Sequence, residues 1–464
     1  MRNIDSKSDS RTQERFVTSG LRIRKLRGIG RFSSFSAVGF ILVLVALMIT
    51  RTPVAVALGT IGILGTTIFI STDALRQLGN IAFTQSSNFV LVVVPLFVLM
   101  GEALAATGIG NDLFRAAHMW LRRLPGALAV ATVFACAVFA AVCGSSPVTA
   151  ATIGSMAVPE MIKRGYDKSL ALGTAAAAGG TLGILIPPSV PMIIYGVLTE
   201  TSIGDLFIAG ILPGIMMAFL FSATVILKVI LRPELAPPLK ESTPWPVKFR
   251  ALGGVAPVLV LSVLVIGSIY WGIATPTEAG AVGAAGAIVI AGAMGYLRWA
   301  VMRRMLDGTV RTTAMFLLLF VGGLFSSFLL TRLGIPQGMS AFLTSFDVPP
   351  WVIIVLINLL LLVLGMFLDP TSILVIIVPI FFKTVTALGY DPVWFGVMVT
   401  IQIEIAAITP PVGFNLFVLK SVVPGVEMVD VVRGSLIFII PLLLGIVILM
   451  IFPQIALFLP ALMK

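Results

Sequence analysis

The sequence predicts an all-α polytopic membrane protein built from two inverted-topology repeats. Three observations lead to this fold class. The 464-residue chain is 58% hydrophobic and only 11% charged, and apolar runs long enough to cross a bilayer recur from end to end. Landmark residues recur at one offset along the chain, and prolines interrupt the apolar runs at matching places in both copies. Outer-membrane barrels have short alternating segments instead, so that class is excluded.

Paired landmarks reveal the internal repeat. Thr275-Pro276 follows Thr52-Pro53 by 223 residues, and Pro410-Pro411 follows Pro187-Pro188 by the same distance. Because chance rarely keeps one offset over several landmarks, the chain is predicted to contain two homologous halves. The predicted organisation is a basic N-terminal tail at 1–35 that is disordered or a misassigned start, a first membrane repeat at 36–231, a cytoplasmic linker at 232–249 and a second, inverted membrane repeat at 250–464.

Each half contains one apolar unit with a small, polar centre. The arms of the first unit flank Gly144 to Pro147, and the arms of the second flank Asp369 to Ser372. Arms of about 15 residues are too short to span well at a rise of about 1.5 Å per residue. Each unit is therefore predicted to be a re-entrant helical hairpin whose tip stops inside the membrane.

A discontinuous transmembrane helix is predicted after each hairpin. Proline pairs interrupt the apolar stretches "GGTLGILIPPSVPMIIYG" and "EIAAITPPVGFNLFVLK". Proline removes a backbone donor and disfavours helix in the preceding residue, so the chain unwinds there. Unwound backbone inside a membrane must line a cavity or bind an ion to satisfy its polar groups. A simple proline kink is the alternative, but duplication at constant spacing favours the central site of a transporter.

The charge distribution predicts how the two halves face the membrane. With the hairpins uncrossed, each half has five spans, an odd number that inverts the second half. The basic stretches "LRRLPG", "IKRGYDKS" and "LRWAVMRRM" fall on one side with the linker, and the positive-inside rule makes that side cytoplasmic. The first hairpin then enters from the cytoplasm and the second from the periplasm. The net charge of +11 is accordingly a topology signal and not a sign of nucleic-acid binding.

The composition argues against several kinds of active site. Two cysteines and one histidine cannot build a structural zinc site, and the chain has no GxxxxGK[ST] phosphate loop. Asp369 raises the alternative of an intramembrane aspartyl protease, but the first half has Gly144 and Ser145 at the equivalent position instead of a second aspartate. A protein that is not an enzyme and binds no transition metal is predicted.

Both hairpin tips and both helix breaks offer the oxygen ligands that hard cations such as sodium prefer. Exposed half-helix N-termini attract a substrate carboxylate through their dipoles. Glu404 is an ionisable residue in an apolar stretch, which favours a functional role, whereas Glu102 lies nearer the membrane interface. The residues predicted to bind sodium are Gly144, Ser145, Ser146, Gly180, Thr181, Gly183, Asp369, Thr371, Ser372, Thr409 and Gly413, and those predicted to bind substrate are Pro187, Pro188, Tyr195, Glu404 and Asn415.

The motifs together resemble the large membrane subunit of tripartite ATP-independent periplasmic (TRAP) transporters. The resemblance runs from about Ser36 to the C-terminus and is carried by "VPLFVLMGEALAATGIG", "GSSPVTAATIGSMAVPEMIKRGYDKSLALG", "GGTLGILIPPSVPMIIYGVLTETSIGDLFIAGILPG", "GIATPTEAGAVGA" and "EIAAITPPVGFNLFVLK". It implies a sodium-driven secondary importer of an organic acid, typically a C4-dicarboxylate or sialic acid, in the bacterial inner membrane. It also implies an elevator mechanism, in which hairpins and broken helices move as a unit against a scaffold.

The resemblance further implies partners and sodium positions. A periplasmic substrate-binding protein delivers the carboxylate in this family, and a small four-helix membrane subunit braces the large one. The family pattern places sodium between each tip and its neighbouring break. One ion would then lie among Ser145, Ser146, Gly180 and Thr181, and the other among Asp369, Thr371, Thr409 and Pro410. The alternative is an anion/cation symporter of related inverted-repeat fold that works without a binding protein.

Overall fold

The computed structural model describes residues 39–40, 42–44, 46–47, 50, 52–238, 244–366, 368, 370–410 and 413–463. Regular structure in this part of the chain is helical throughout. The predicted N-terminal tail and Asp369 lie outside the described residues. The structure thus confirms the all-α architecture that the sequence predicts.

The first half has a run of helices that ends with the two pieces of a broken helix and one long helix. A short 3₁₀ segment, Phe89–Val92, leads into the third α-helix. The α-helices are α1 (Val54–Phe69), α2 (Leu75–Ser86), α3 (Val93–Ala106), α4 (Ile109–Leu121), α5 (Ala127–Cys143), α6 (Ser146–Lys163), α7 (Lys168–Leu185), α8 (Val190–Thr199) and α9 (Ile203–Leu231).

The second half repeats this order. Its first helix begins at Trp245, so the last five residues of the predicted linker are helical. Proline at the first positions of a helix is well tolerated, which explains why Pro246 does not delay this start. The α-helices are α10 (Trp245–Tyr270), α11 (Pro276–Ala293), α12 (Trp299–Arg332), α13 (Ile335–Thr344), α14 (Pro350–Gly365), α15 (Pro370–Ala387), α16 (Pro392–Ala407), α17 (Phe414–Val422), α18 (Met428–Ser435), α19 (Ile439–Ile451) and α20 (Gln454–Leu462).

Six helical segments among the described residues are long and apolar enough to cross a membrane. The pair α7 and α8, bent by 42° at its break, makes a seventh candidate span. The first span predicted from the sequence lies largely outside the described residues, and α1 has only 16 residues. The number of five spans in each half therefore stays a prediction.

Two helical hairpins occupy the predicted places. Helices α5 and α6 pack against each other and are joined by Gly144 and Ser145, and α14 packs against α15. Their arms contain 16 to 18 residues. At 1.5 Å per residue such arms measure about 25 Å, which is short of a hydrocarbon core of about 30 Å. These dimensions agree with re-entrant hairpins.

Corresponding helices of the two halves pack reciprocally, each against a helix of the other half. Helix α6 packs against α17, and its counterpart α15 packs against α8. Likewise α1 packs against α12, and α3 packs against α11. Such reciprocal packing is expected when two repeats are related by a pseudo-two-fold axis. We call the hairpins and broken helices (α5 to α8 and α14 to α17) the inner group, and α1, α3, α11 and α12 the outer group.

Candidate ion and substrate site

The first hairpin tip lies directly against the first helix break. The N–H of Val190 donates a 3.2 Å hydrogen bond to the carbonyl oxygen of Gly144. Gly144 has φ of +64°, and a Cβ atom added to it would lie 2.7 Å from the carbonyl oxygen of Pro188. Only glycine meets both conditions without strain, because other residues rarely adopt this backbone conformation. The tip and the break therefore form one connected structure.

The other predicted residues of the first tip and first break are also close together. A Cβ atom added to Gly183 would lie 3.1 Å from the carbonyl oxygen of Ser145. Ser145 is half-buried, whereas Thr181 is fully buried and its hydroxyl has no hydrogen-bond partner. Since buried hydroxyls are usually paired, an unpaired one beside unwound backbone is suited to a bound ion.

A chain of buried side chains connects the first tip to the second broken helix. The hydroxyl of Ser146 donates to the side-chain oxygen of Asn415 at 2.9 Å, and the amide nitrogen of Asn415 donates to Oε2 of Glu404 at 2.9 Å. The other carboxyl oxygen of Glu404 is buried without a partner. A Cβ atom added to Gly180 would lie 2.7 Å from Oε2 of Glu404. Four separate helical segments thus meet at one polar cluster.

The second break is a similar interruption, which lies between α16 and α17. Helix α16 ends at Ala407, and α17 begins at Phe414 after Gly413, which has φ of +57°. The hydroxyl of half-buried Thr409 donates to the carbonyl oxygen of Ile405. A Cβ atom on Gly365, the last residue of α14, would overlap the side chain of Ala406. The second hairpin therefore approaches the second break just before its tip.

The remaining predicted ligands of the second tip differ in burial. Thr371 is half-buried and Ser372 is fully buried, and Pro410 in the neighbouring break is half-buried. No position is described for Asp369. The predicted sodium ligands at this tip therefore stay predictions.

The residues predicted to bind substrate lie inside the inner group. Pro187 and Pro188 are buried at the first break and are joined by a cis peptide bond. The hydroxyl of Tyr195 donates to the carbonyl oxygen of Pro392 at 2.6 Å, so it connects α8 to the start of α16. Glu404 and Asn415 are hydrogen-bonded to each other. Their role in substrate binding stays a prediction. None of these five residues lines either of the two cavities described next.

Two of the large cavities lined by described residues lie where the inner group meets the outer helices, near opposite ends of α3. The first, of about 640 Å³, is lined by α3, α6, α12 and α17 and contains Glu102 and Arg304. The second, of about 630 Å³, is lined by the α8–α9 connection and by residues around the start of α11. Both volumes suit a small organic ligand. Sequence reasoning missed these cavities, although a carboxylate in the apolar span α3 was a usable signal.

Among the described residues, no three His, Cys, Asp or Glu side chains come close enough to hold a metal ion. Cys136 and Cys143 are buried and are not joined by a disulfide.

Paired hairpins, paired broken helices and a buried polar centre define a polytopic membrane transporter. The chain belongs to the family of the DctM component of tripartite ATP-independent periplasmic transporters, whose family model matches residues 41–455. As a member of this family with six or more apolar helices, it is a multi-pass protein of the bacterial inner membrane. The resemblance stated from the motifs is confirmed.

Curated relatives agree with this assignment. The chain is 36% identical to the C4-dicarboxylate TRAP transporter large permease protein DctM of Pseudomonas aeruginosa, covering 87% of this chain and 93% of that protein. It is 32% identical to the sialic acid TRAP transporter large permease protein SiaM of Vibrio cholerae, over 85% and 90% of the two chains. It is 31% identical to the ectoine TRAP transporter large permease protein TeaC of Halomonas elongata, over 90% and 97%.

Two solved structures share the fold. The YdaH transporter of Alcanivorax borkumensis matches with a TM-score of 0.60 at 17% identity, covering 83% of this chain and 91% of that chain. MtrF of Neisseria gonorrhoeae matches with a TM-score of 0.51 at 12% identity, covering 89% and 94%. At these identities the likeness concerns the fold alone.

Proposed function

We propose that this protein is the transport subunit of a TRAP system that imports an organic acid and is driven by a sodium gradient. The observation that carries the proposal is the contact between the first tip and the first break, at Gly144 and Pro188. Hairpin tips beside unwound helices supply backbone and hydroxyl oxygens, which are typical sodium ligands in secondary transporters.

The buried polar centre supports a cation as the coupling ion. Thr181 and Glu404 each have a fully buried oxygen without a hydrogen-bond partner. Leaving such atoms unpaired is costly, and a bound sodium ion would satisfy the hydroxyl of Thr181, which is among the predicted sodium ligands. An ionisable residue in apolar surroundings inside a membrane protein favours a functional role.

The packing between the inner and outer groups supports an elevator movement. Helix α3 touches the first hairpin through Gly101, where a Cβ atom would lie 3.0 Å from the carbonyl oxygen of Cys143. Helix α12 touches the second hairpin through Gly323, where a Cβ atom would overlap Val375. Glycine at both contacts keeps the area that joins the two groups free of side chains from the outer helices. The two cavities at opposite ends of these contacts are suited to loading and release.

We propose a carboxylate as the cargo and two further proteins as partners. The relatives named for C4-dicarboxylates and sialic acid transport organic acids, and the family name specifies a tripartite, periplasmic system. A periplasmic binding protein would deliver the cargo, and a small membrane subunit would brace this chain. Thermal-shift screening of the cognate binding protein against organic acids would identify the cargo.

The proposal is tested by reconstituting the protein with its small subunit in ATP-free liposomes. We expect uptake of the screened carboxylate only when the binding protein and an inward sodium gradient are both present. Uptake that survives collapse of the sodium gradient would overturn sodium coupling. Uptake at full rate without the binding protein would instead support the binding-protein-independent symporter.

A further inference from the structure

Glu102 lies on the outer group at the point where this group touches the first hairpin tip. It follows Gly101, where an added Cβ atom would lie 3.0 Å from the carbonyl oxygen of Cys143, the last residue before that tip. Glu102 is half-buried within an apolar helix. An ionisable side chain within an apolar helix of a membrane protein points to a functional role.

The carboxyl group of Glu102 rests in a notch of α12. A Cβ atom added to Gly308 would lie 2.7 Å from Oε2 of Glu102, so the absence of a side chain there makes room for the carboxyl group. Arg304 lies one turn earlier on α12 and interacts with Glu102 electrostatically. In the described part of the chain, however, Glu102 forms neither a hydrogen bond nor a close ion pair.

Glu102 lines two voids of very different size. One is the cavity of about 640 Å³ that also contains Arg304. The other is a crevice of about 10 Å³ that is also lined by Cys143 and by Ser145 at the tip. That volume is comparable to the space a single water molecule needs. A dehydrated monovalent ion has similar room, whereas an organic acid does not.

We propose that Glu102 is a cation-binding residue at the mouth of the first tip, where it takes up the sodium ion exchanged between the tip and the large cavity. This inference rests on the proposed function, since it requires sodium at the first tip. The half-buried carboxylate without a close partner would be stabilised by a hard cation, and the cation would find its first charged ligand outside the tip. The simpler reading is that Glu102 only balances the charge of Arg304.

The test measures equilibrium binding of ²²Na⁺ to the purified complex of this protein with its small subunit, at constant ionic strength. For Glu102→Gln we expect the half-saturating sodium concentration to rise about tenfold, because a nearby unit charge at intermediate dielectric is worth roughly that factor. Glu102→Asp should stay within about threefold of the unmodified protein. Asp307→Asn is the matched control, since this exposed carboxylate on the facing helix α12 pairs with Arg311.

Arg304→Gln separates the two readings. If Glu102 binds sodium, removing the competing guanidinium lowers the half-saturating concentration, which is opposite to the effect of Glu102→Gln. If the two residues form only a structural pair, both substitutions shift sodium binding in the same direction or leave it unchanged, and the inference is overturned. Thermal unfolding of each complex checks folding. Absence of sodium binding in the unmodified complex would overturn the proposed function itself, whereas normal binding in Glu102→Gln would overturn only this inference.

Discussion

The hydroxyl of Ser146 donates a 2.9 Å hydrogen bond to the side-chain oxygen of Asn415, which lies 269 residues further along the chain. This bond joins the first hairpin tip to the helix that follows the second break. Because Asn415 also donates to Glu404, the ion site predicted in one half is physically linked to the interrupted helix of the other. A structural change at the first hairpin tip can therefore act directly on the second broken helix.

A double-mutant cycle tests this link. Ser146→Ala should lower the free energy of unfolding by about 1 kcal/mol. Asn415→Ala should cost more, since it leaves both Ser146 and Oε2 of Glu404 without their partner. In a protein that already carries Asn415→Ala, the further change Ser146→Ala should lower the free energy of unfolding very little. Chemical unfolding of the purified complexes would measure these free energies. Ser222→Ala is the control, because its hydroxyl bonds locally to Ala218 and its effect should add fully. If the losses of unfolding free energy caused by Ser146→Ala and Asn415→Ala add fully in the double variant, the link between the two residues is contradicted.

Contact between the first tip and the first break should be essential for transport. Gly144→Ala introduces both backbone strain and a clash with the Pro188 carbonyl, so sodium-dependent uptake in liposomes should fall at least tenfold. Gly334→Ala is the matched control. Gly334 has φ of +70° and no atom within 4 Å of an added Cβ, so it carries the strain without the clash. Equal losses in the two variants would mean that strain alone is responsible.

Side chains at the tip and break should tolerate little added volume. Ser145→Leu and Thr409→Leu should each abolish sodium-dependent uptake, because a bulky apolar side chain displaces the oxygen ligands that a sodium ion needs. Co-purification with the small subunit should be unchanged, which shows that the complex still assembles. Ser345→Leu, at an exposed position after α13, should transport normally. Unchanged sodium dependence in a variant would remove that residue from the site.

Close packing of α7 against α18 should govern stability. A Cβ atom on Gly434 would overlap the carbonyl oxygen of Ser169, so Gly434→Ala must separate the two helices. We expect a loss of about 1 to 3 kcal/mol, seen as a lower apparent unfolding temperature. Gly253→Ala on α10 has nothing within 4 Å of the new atom and should leave stability unchanged or raise it slightly. Equal apparent unfolding temperatures for Gly434→Ala and Gly253→Ala would contradict the packing argument.

Local signals in the sequence were sufficient to place the helices and their interruptions. A proline pair inside an apolar run interrupts the helix, so the breaks at Pro187 and Pro410 were predictable from the chain alone. The lengths of the apolar runs predicted the hairpins, and the constant offset predicted the repeat. The linker boundary stays a prediction, and the structure adds that helix α10 begins at Trp245, a start that looks like a proline-rich loop in the sequence.

The sequence by itself determined the class of protein, the two halves and the residue types available to a cation, since these depend on composition and on spacing along one segment. Only the tertiary structure decided that Asn415 bonds to Ser146 and that Glu102 lines both a large cavity and a crevice at the first tip. The reason is physical: such contacts join helices that are distant in sequence, and their geometry depends on how two halves pack and not on the periodicity of either one.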